Sequence, residues 1–250
     1  MKVISFINQK GGTGKTTTCL NVGACLANKG YKVLLVDVDP QGSLTTSTAI
    51  ETDNTNTLYE VLQGADDVNK VIQVHNNYFV LPTDDRQSGA ESEFLKEIGS
   101  DGLIKRNVIR PLKAAYDFVL LDCPPALSIF TVMSLAASDG VIIPLQAQIL
   151  PFKGIMQLQD TIKQVIEREI NPALQVIGYV FTQYDSRKNL DKQVYERVEA
   201  ETGKAFKTTI SNNVALAEAP AFGMDIYEYA PKAKGALQYA ALTDEILERI

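Results

Sequence analysis

The stretch from Gln9 to Thr17 constrains the fold more than any other part of the chain. It reads Gln-Lys-Gly-Gly-Thr-Gly-Lys-Thr-Thr and lies between the apolar run Val3–Ile7 and a helical pattern over residues 15–28. Glycines let main-chain N–H groups approach a bound anion without a Cβ atom in the way. The positive end of the following helix adds to the attraction. A strand, a glycine-rich turn and a helix in this order predict a phosphate-binding loop in an α/β fold.

Eight residues of this loop are the predicted nucleotide-binding groups: Lys10, Gly11, Gly12, Thr13, Gly14, Lys15, Thr16 and Thr17. Lys15 carries the charge expected beside the β- and γ-phosphates, and the Thr16 hydroxyl is placed to ligate Mg²⁺. The pattern G-x-x-x-x-G-K-[ST] does not fit, because Gln9 stands at its first glycine and a second lysine, Lys10, begins the loop. A dinucleotide-binding turn is the nearest alternative, but it requires a third glycine where Thr17 stands.

Carboxylates follow two further predicted strands. Asp37 and Asp39 come after the apolar run at 32–36, and Asp122 ends the run at 118–121. Parallel strands deliver such groups to the same edge of a sheet as the phosphate loop. A carboxylate at this edge can orient the water that attacks a γ-phosphate. An acid that closes an apolar strand can hold Mg²⁺ through a water, since this ion keeps much of its hydration.

Apolar strands alternate with helical patterns along the whole chain. Six strands are expected at 3–7, 32–36, 78–81, 118–121, 141–143 and 174–181. Helices are expected at 15–28, 88–98, 103–114, 128–137, 153–169, 189–202 and 233–249. This alternation predicts βαβ units, and thus a mostly parallel, doubly wound sheet flanked by helices on both faces. Without a repeat or a linker, residues 1–250 are expected to form a single α/β P-loop NTPase domain.

Composition limits the partners. The formal net charge is −6 over 250 residues, so no strong global field attracts nucleic acid or acidic lipid, and DNA binding would need a local basic patch. Cys19, Cys25 and Cys123 form no C-x-x-C pair and are expected to be small apolar core residues in a reducing compartment. No signal peptide or apolar run of the ~18 residues that a membrane span needs is visible, so a cytoplasmic protein is predicted.

Three motifs resemble those of one family. The loop K-G-G-x-G-K-T resembles the deviant Walker A motif of the ParA/MinD ATPases, residues 37–42 (D-V-D-P-Q-G) resemble the switch I motif of the ParA family, and residues 123–125 (C-P-P) resemble its switch II. Later segments resemble successive blocks of Soj-type ParA proteins: Tyr184–Leu190, Leu216–Pro220 and Pro231–Ala236. The resemblance therefore covers the whole chain.

The resemblance implies a slow ATPase that uses ATP and Mg²⁺. Asp39 would position the water, with Lys10 and Lys15 completing the catalytic set. The metal would be held at Thr16, Asp39 and Asp122, with Asp37 in a supporting role. ATP would drive a homodimer in which Lys10 of each subunit reaches the phosphates of the other. The dimer would bind DNA non-specifically on the nucleoid, and a ParB/Spo0J-like partner would stimulate hydrolysis to drive chromosome or plasmid segregation. Because the loop starts at Gln9, no N-terminal helix-turn-helix is expected.

The chain departs from this family at one segment. Soj-type proteins usually carry arginines within residues 210–215, where Asn212 and Ala215 stand here. The same segment lines the adenine pocket in relatives, which makes Asn212 a candidate nucleotide contact. Four basic residues remain as DNA candidates: Arg187, Lys188, Lys232 and Lys234. Weak DNA binding is expected.

Two related functions stay open as alternatives. A MinD-like ATPase would need a basic amphipathic tail, but residues 243–250 are acidic, so no membrane partner is expected. An ATPase that positions protein cargo over the nucleoid would carry the same motifs, and only its partner would distinguish it. Iron–sulfur relatives need paired cysteines, which Cys123 by itself does not supply.

Overall fold

The computed structural model describes residues 1–53, 55–147 and 151–250, with side chains throughout except at Ser88 and residues 151–155. Its strands are β1 Lys2–Phe6, β2 Val33–Asp37, β3 Gln73–His75, β4 Tyr78–Leu81, β5 Phe118–Asp122, β6 Gly140–Gln146 and β7 Gln175–Thr182. They form one sheet of order β3-β4-β2-β5-β1-β6-β7. All neighbours are parallel except β3, which pairs antiparallel with β4 at the edge.

Helices cover both faces of this sheet. They are α1 Lys15–Asn28, α2 Ser43–Ser47, α3 Leu58–Gln63, α4 Val68–Val71, α5 Arg86–Phe94, α6 Ile129–Ala137, α7 Pro151–Glu167, α8 Asn189–Thr202, α9 Val214–Glu218, α10 Ile226–Tyr229 and α11 Lys234–Arg249. One buried core lies between the sheet and α3 to α8, and a second lies between the sheet and α1, α2 and α9 to α11. The predicted doubly wound α/β fold is confirmed.

The structure corrects the prediction in several details. All six predicted strands form, but the edge strand β3 was not predicted, because its Gln-Val-His sequence is short and only partly buried. The helix expected at 103–114 is replaced by a 3₁₀ turn at Ser100–Gly102 and a π-helix at Ile104–Ile109. Five further helices have four to six residues each, too short for a helical period to be visible. No helix within the described ranges is long and apolar enough to cross a membrane.

The strand register positions the site. Asp37 on β2 and Phe6 on β1 both lie opposite Asp122 on β5. The carboxyl ends of three adjacent strands therefore lie at the same level, and the loops that follow them meet there.

Helix α1 lies close to the sheet because of Gly23. A Cβ atom at this position would overlap the Leu35 side chain and lie 3.4 Å from Leu120 Cδ1. Gly89 on the exposed face of α5 has open space around the same position. We expect Gly23→Ala to lower the free energy of unfolding by about 1–3 kcal/mol through overpacking. Gly89→Ala should raise it by up to about 1 kcal/mol through helix propensity. Urea unfolding would measure both, and shifts of the same sign would contradict this packing.

Candidate functional site

The phosphate loop connects β1 to α1, as predicted. Gly12 and Gly14 adopt left-handed φ angles of +75° and +80°, a conformation that residues with a Cβ atom rarely adopt. Helix α1 begins at Lys15, and Gly14 is its N-cap residue. The glycines thus allow the turn that brings the loop over the start of the helix.

Three side chains that were not predicted from the sequence bind carbonyl groups of this loop from the side of β6 and β7. Thr182 Oγ1 donates to the Thr13 carbonyl at 2.8 Å, and Gln183 Nε2 donates to the Gly12 carbonyl at 3.3 Å. Gln146 Nε2 also donates to the Gly12 carbonyl. In a trans peptide the C=O and the next N–H point in opposite directions, so these bonds turn the N–H groups of Thr13 and Gly14 away from β6 and β7. The signal was available, because all three residues lie at or just after the end of a parallel strand.

A hydrogen bond between Thr16 and Asp122 lies at the centre of the site. Thr16 Oγ1 donates to Asp122 Oδ2 at 2.7 Å. Asp122 is fully buried, and this burial, followed by the charge of Asp37, raises the pKa of its carboxyl well above the usual range. The Thr16 hydrogen bond and the charge of Lys15 act in the opposite direction. Asp122 Oδ1 accepts no hydrogen bond from the described residues. A buried carboxyl oxygen without a partner suits a cation or its bound water, and a cation would favour the ionised form of the group.

The donor set at this edge fits Mg²⁺ rather than a metal with a complete protein cage. Among the described residues, no group of three or more His, Cys, Asp or Glu side chains could hold a metal ion. Mg²⁺ takes few protein ligands and completes its octahedron with waters and phosphate oxygens. The Thr16 hydroxyl and the Asp122 carboxylate supply oxygens of the kind that this ion prefers.

The two aspartates after β2 are held differently. Asp37 Oδ2 accepts hydrogen bonds from Thr45 N and Thr45 Oγ1, both at 2.8 Å. Burial raises the pKa of Asp37 to about 7, although the bonds from Thr45 lower it. Asp39 is also buried, and its Oδ1 accepts from Gln41 N at 3.1 Å. Asp37 lies opposite Asp122 in the strand register and Asp39 follows Asp37 by two residues, so the three predicted carboxylates lie at the same edge of the sheet.

The two lysines of the loop differ in exposure. Lys15 is buried, with 7% of its surface exposed, and its charge acts on Asp122. Lys10 is exposed, and its main-chain N–H donates to Asn8 Oδ1 at 3.0 Å. Lys15 therefore lies inside the site, whereas Lys10 lies on the outer surface of the loop.

A pocket opens on the other side of the loop. Its lining includes Gly14, Thr17, Thr182, Asn212 and Tyr239. Asn212, the predicted nucleotide contact, therefore lines the same pocket as Gly14 of the phosphate loop. Tyr239, on α11, was not predicted, because it follows the apolar pattern of that helix and resembles any core residue. Its hydroxyl shares a hydrogen bond with Thr18 Oγ1 at 3.2 Å.

The four predicted DNA candidates are not equivalent. Arg187 forms two hydrogen bonds of 2.9 Å to the carboxylate of Asp185, and these bonds lower the pKa of Asp185. Arg187 is thus paired with an acidic residue of its own loop, although its side chain stays exposed. Lys188 is exposed at the start of α8, while Lys232 and Lys234 are exposed before and at the start of α11.

Comparisons with known proteins agree with this geometry. A family model described as an AAA domain matches residues 1–176. The sporulation initiation inhibitor protein Soj of Bacillus subtilis is 40% identical over 249 residues, which is 98% of this chain and 98% of that protein. The chromosome-partitioning ATPase Soj of Treponema pallidum is 40% identical over 252 residues, which is 99% of this chain and 98% of that protein.

One solved structure extends the comparison. Cobyrinic acid a,c-diamide synthase from Mycobacterium smegmatis, with bound ADP and magnesium, has a TM-score of 0.87 and 32% sequence identity. The match covers 99% of this chain and 94% of that chain. A family model matches most of the chain, and two Soj proteins are 40% identical to it over nearly their full length, so the chain belongs to the ParA/Soj family of P-loop ATPases.

Proposed function

We propose that the chain is a Mg²⁺- and ATP-dependent partition ATPase. It dimerises when it binds ATP, binds DNA without sequence preference and drives the segregation of a chromosome or plasmid. The observation that carries this proposal is the Thr16–Asp122 hydrogen bond beneath a glycine loop with left-handed turns. A ParB/Spo0J-like partner would stimulate hydrolysis. The family of the chain and the name of its Treponema pallidum relative, a chromosome-partitioning ATPase, support the partition role.

The nucleotide would bind along the loop and into the adjoining pocket. Lys15 would face the β- and γ-phosphates, and the N–H groups of the loop would bind phosphate oxygens at the start of α1. The Asn212 segment would contact the base. The Thr16 hydroxyl would hold Mg²⁺ directly, with Asp122 and Asp39 contributing carboxylate oxygens. When bound, Mg²⁺ supplies positive charge that neutralises the phosphate oxygens.

Hydrolysis would depend on Asp39. Its carboxylate can accept a hydrogen bond from the attacking water and hold it in line with the γ-phosphate. The bond from Gln41 N to Oδ1 orients this carboxylate within the D-V-D-P-Q-G segment. Asp37 would act in support, since its hydrogen bonds to Thr45 fix the start of the segment.

The dimer would depend on an exposed lysine outside the buried site. Lys10 is exposed on the loop, where it could reach the phosphates of a second subunit.

A membrane-bound alternative is disfavoured by α11, because Tyr239, Leu242 and Ile246 on its apolar face are buried in the core. The remaining surface of the tail is acidic and would repel anionic lipid.

The roles of Asp39 and Lys15 can be separated experimentally. Asp39→Ala should still bind ATP, because Lys15, Thr16 and Asp122 remain, but hydrolyse it about 100-fold more slowly, as expected for loss of a group that positions the water. Lys15→Ala should lose ATP binding, because it removes the charge facing the phosphates. Lys29→Ala, at the other end of α1, is the matched control and should behave as wild type. Fluorescent-nucleotide binding and phosphate release would measure both properties. Unchanged turnover in Asp39→Ala would exclude its assigned role.

Dimerisation should require both the nucleotide and Lys10. The contact of Lys10 with the phosphates of the other subunit exists only when a triphosphate is bound, so ATP but not ADP should produce a dimer. Lys10→Ala should remain monomeric with ATP, whereas the exposed Lys105→Ala should dimerise. Light scattering would decide, and a dimer of Lys10→Ala with ATP would show that this lysine does not act across an interface.

DNA binding should be weak, specific to the ATP-bound dimer and steeply dependent on salt. Each phosphate contacted on duplex DNA contributes about −0.9 to the log–log salt slope. Reversing Lys232 and Lys234 to glutamate should flatten this slope and leave basal hydrolysis intact. Reversing the exposed Lys105 and Lys113 is the control and should leave the slope unchanged. If ATP-trapped Asp39→Ala does not bind DNA even at low salt, the protein does not use DNA as its track.

A further inference from the structure

Gln87, in the first turn of α5, is a buried polar side chain outside the nucleotide motifs. None of its surface is exposed, and both ends of its amide are bonded. Nε2 donates to the Val38 carbonyl at 2.9 Å, and Oε1 accepts from Thr83 Oγ1 at 2.6 Å. A glutamine at this depth is uncommon unless its amide is satisfied. Here the amide joins α5 to the segment that carries Asp39.

The bond to Val38 acts on the peptide unit that leads into Asp39. The Val38 carbonyl oxygen and the nitrogen and Cα of Asp39 lie in one plane, because the peptide bond does not rotate freely. Val38 N donates to the Asp122 carbonyl at 2.9 Å, which ties the preceding peptide to β5. The bond from Gln87 fixes the following peptide, and with it the nitrogen and Cα of Asp39, from which the side chain departs.

A chain of buried hydrogen bonds holds Gln87 itself in place. Thr83 orients the amide, and Thr83 N donates to Thr45 Oγ1 at 3.1 Å. The same Thr45 hydroxyl donates to Asp37. The network therefore holds the D-V-D segment at two points, Asp37 through Thr45 and Val38 through Gln87.

We propose that Gln87 is a positioning residue for hydrolysis, which fixes the Val38–Asp39 peptide and thereby aims the Asp39 carboxylate at the attacking water. It does so without contacting the nucleotide. This inference rests on the proposed role of Asp39. Gln87 should therefore affect the rate of hydrolysis and leave the affinity for ATP unchanged.

Gln87→Met keeps the length of the side chain and removes both hydrogen bonds. We expect its single-turnover hydrolysis to be about tenfold slower or more, as for a small misplacement of a reacting group, with ATP affinity within about twofold of wild type. Thr83→Val removes only the hydrogen bond to Gln87 Oε1 and should slow hydrolysis less than Gln87→Met does. Thr83→Ser keeps the hydroxyl and should hydrolyse ATP at the wild-type rate. These two variants test the network even if Gln87→Met folds poorly.

A matched control separates positioning from stability. Asn171 is another buried amide, and its Nδ2 donates to the carbonyls of Leu135 and Ser138 at 2.8 and 2.7 Å. Asn171→Leu also removes hydrogen bonds to buried carbonyls, but position 171 does not contact the D-V-D segment. It should lower the urea midpoint as Gln87→Met does and hydrolyse ATP at the wild-type rate.

A double-mutant cycle with Asp39→Ala gives the decisive measurement. If Gln87 acts through Asp39, adding Gln87→Met to Asp39→Ala causes no further loss of residual hydrolysis. A multiplicative further loss, or a normal rate in Gln87→Met, would overturn the inference while leaving the role of Asp39 intact. A normal rate in Asp39→Ala would instead exclude the assigned role of Asp39, and the inference with it.

Discussion

Parallel pairing of β1, β2 and β5 aligns the carboxyl ends of three neighbouring strands, and every group of the site depends on this alignment. The phosphate loop follows β1, the D-V-D segment begins at the last residue of β2, and Asp122 is the last residue of β5. In register, Asp37 and Phe6 both lie opposite Asp122. A shift of one residue in either pairing would turn a carboxylate to the other face of the sheet. The loop and the carboxylates would then no longer meet.

This alignment brings like charges together in a buried place. Burial raises the pKa values of Asp37 and Asp122, and the charge of Asp39 raises both of them further. Hydrogen bonds from Thr45 and Thr16 and the charge of Lys15 offset part of this cost. A divalent cation would relieve the rest, because it favours the ionised carboxylates. Binding of a metal–nucleotide complex at this edge should therefore also stabilise the folded state.

The C-terminal helix contributes to the same site from the core on the face of the sheet that carries α1. The last helix, α11, buries its apolar face against α1 and places Tyr239 both against Thr18 and in the pocket. An amphipathic pattern in a terminal helix can equally indicate a membrane-binding surface or a packed one. Here packing accounts for it, because the apolar face lies in the core, while Asp244 and Glu248 near the end of the helix are exposed.

The sequence by itself determined the strands at 3–7 and 118–121, the phosphate loop and the acid at position 122, because each of these features depends on local chemistry. A glycine-rich turn, an apolar run and a carboxylate at a strand end can each be recognised within a window of a few residues. Only the tertiary structure decided what holds these groups in place. Thr182 reaches the loop from β7, and Gln87 reaches Val38 from α5, across 169 and 49 positions of the chain respectively. A buried threonine or glutamine carries no local pattern that names its partner, since that partner is selected by how the strands and helices pack.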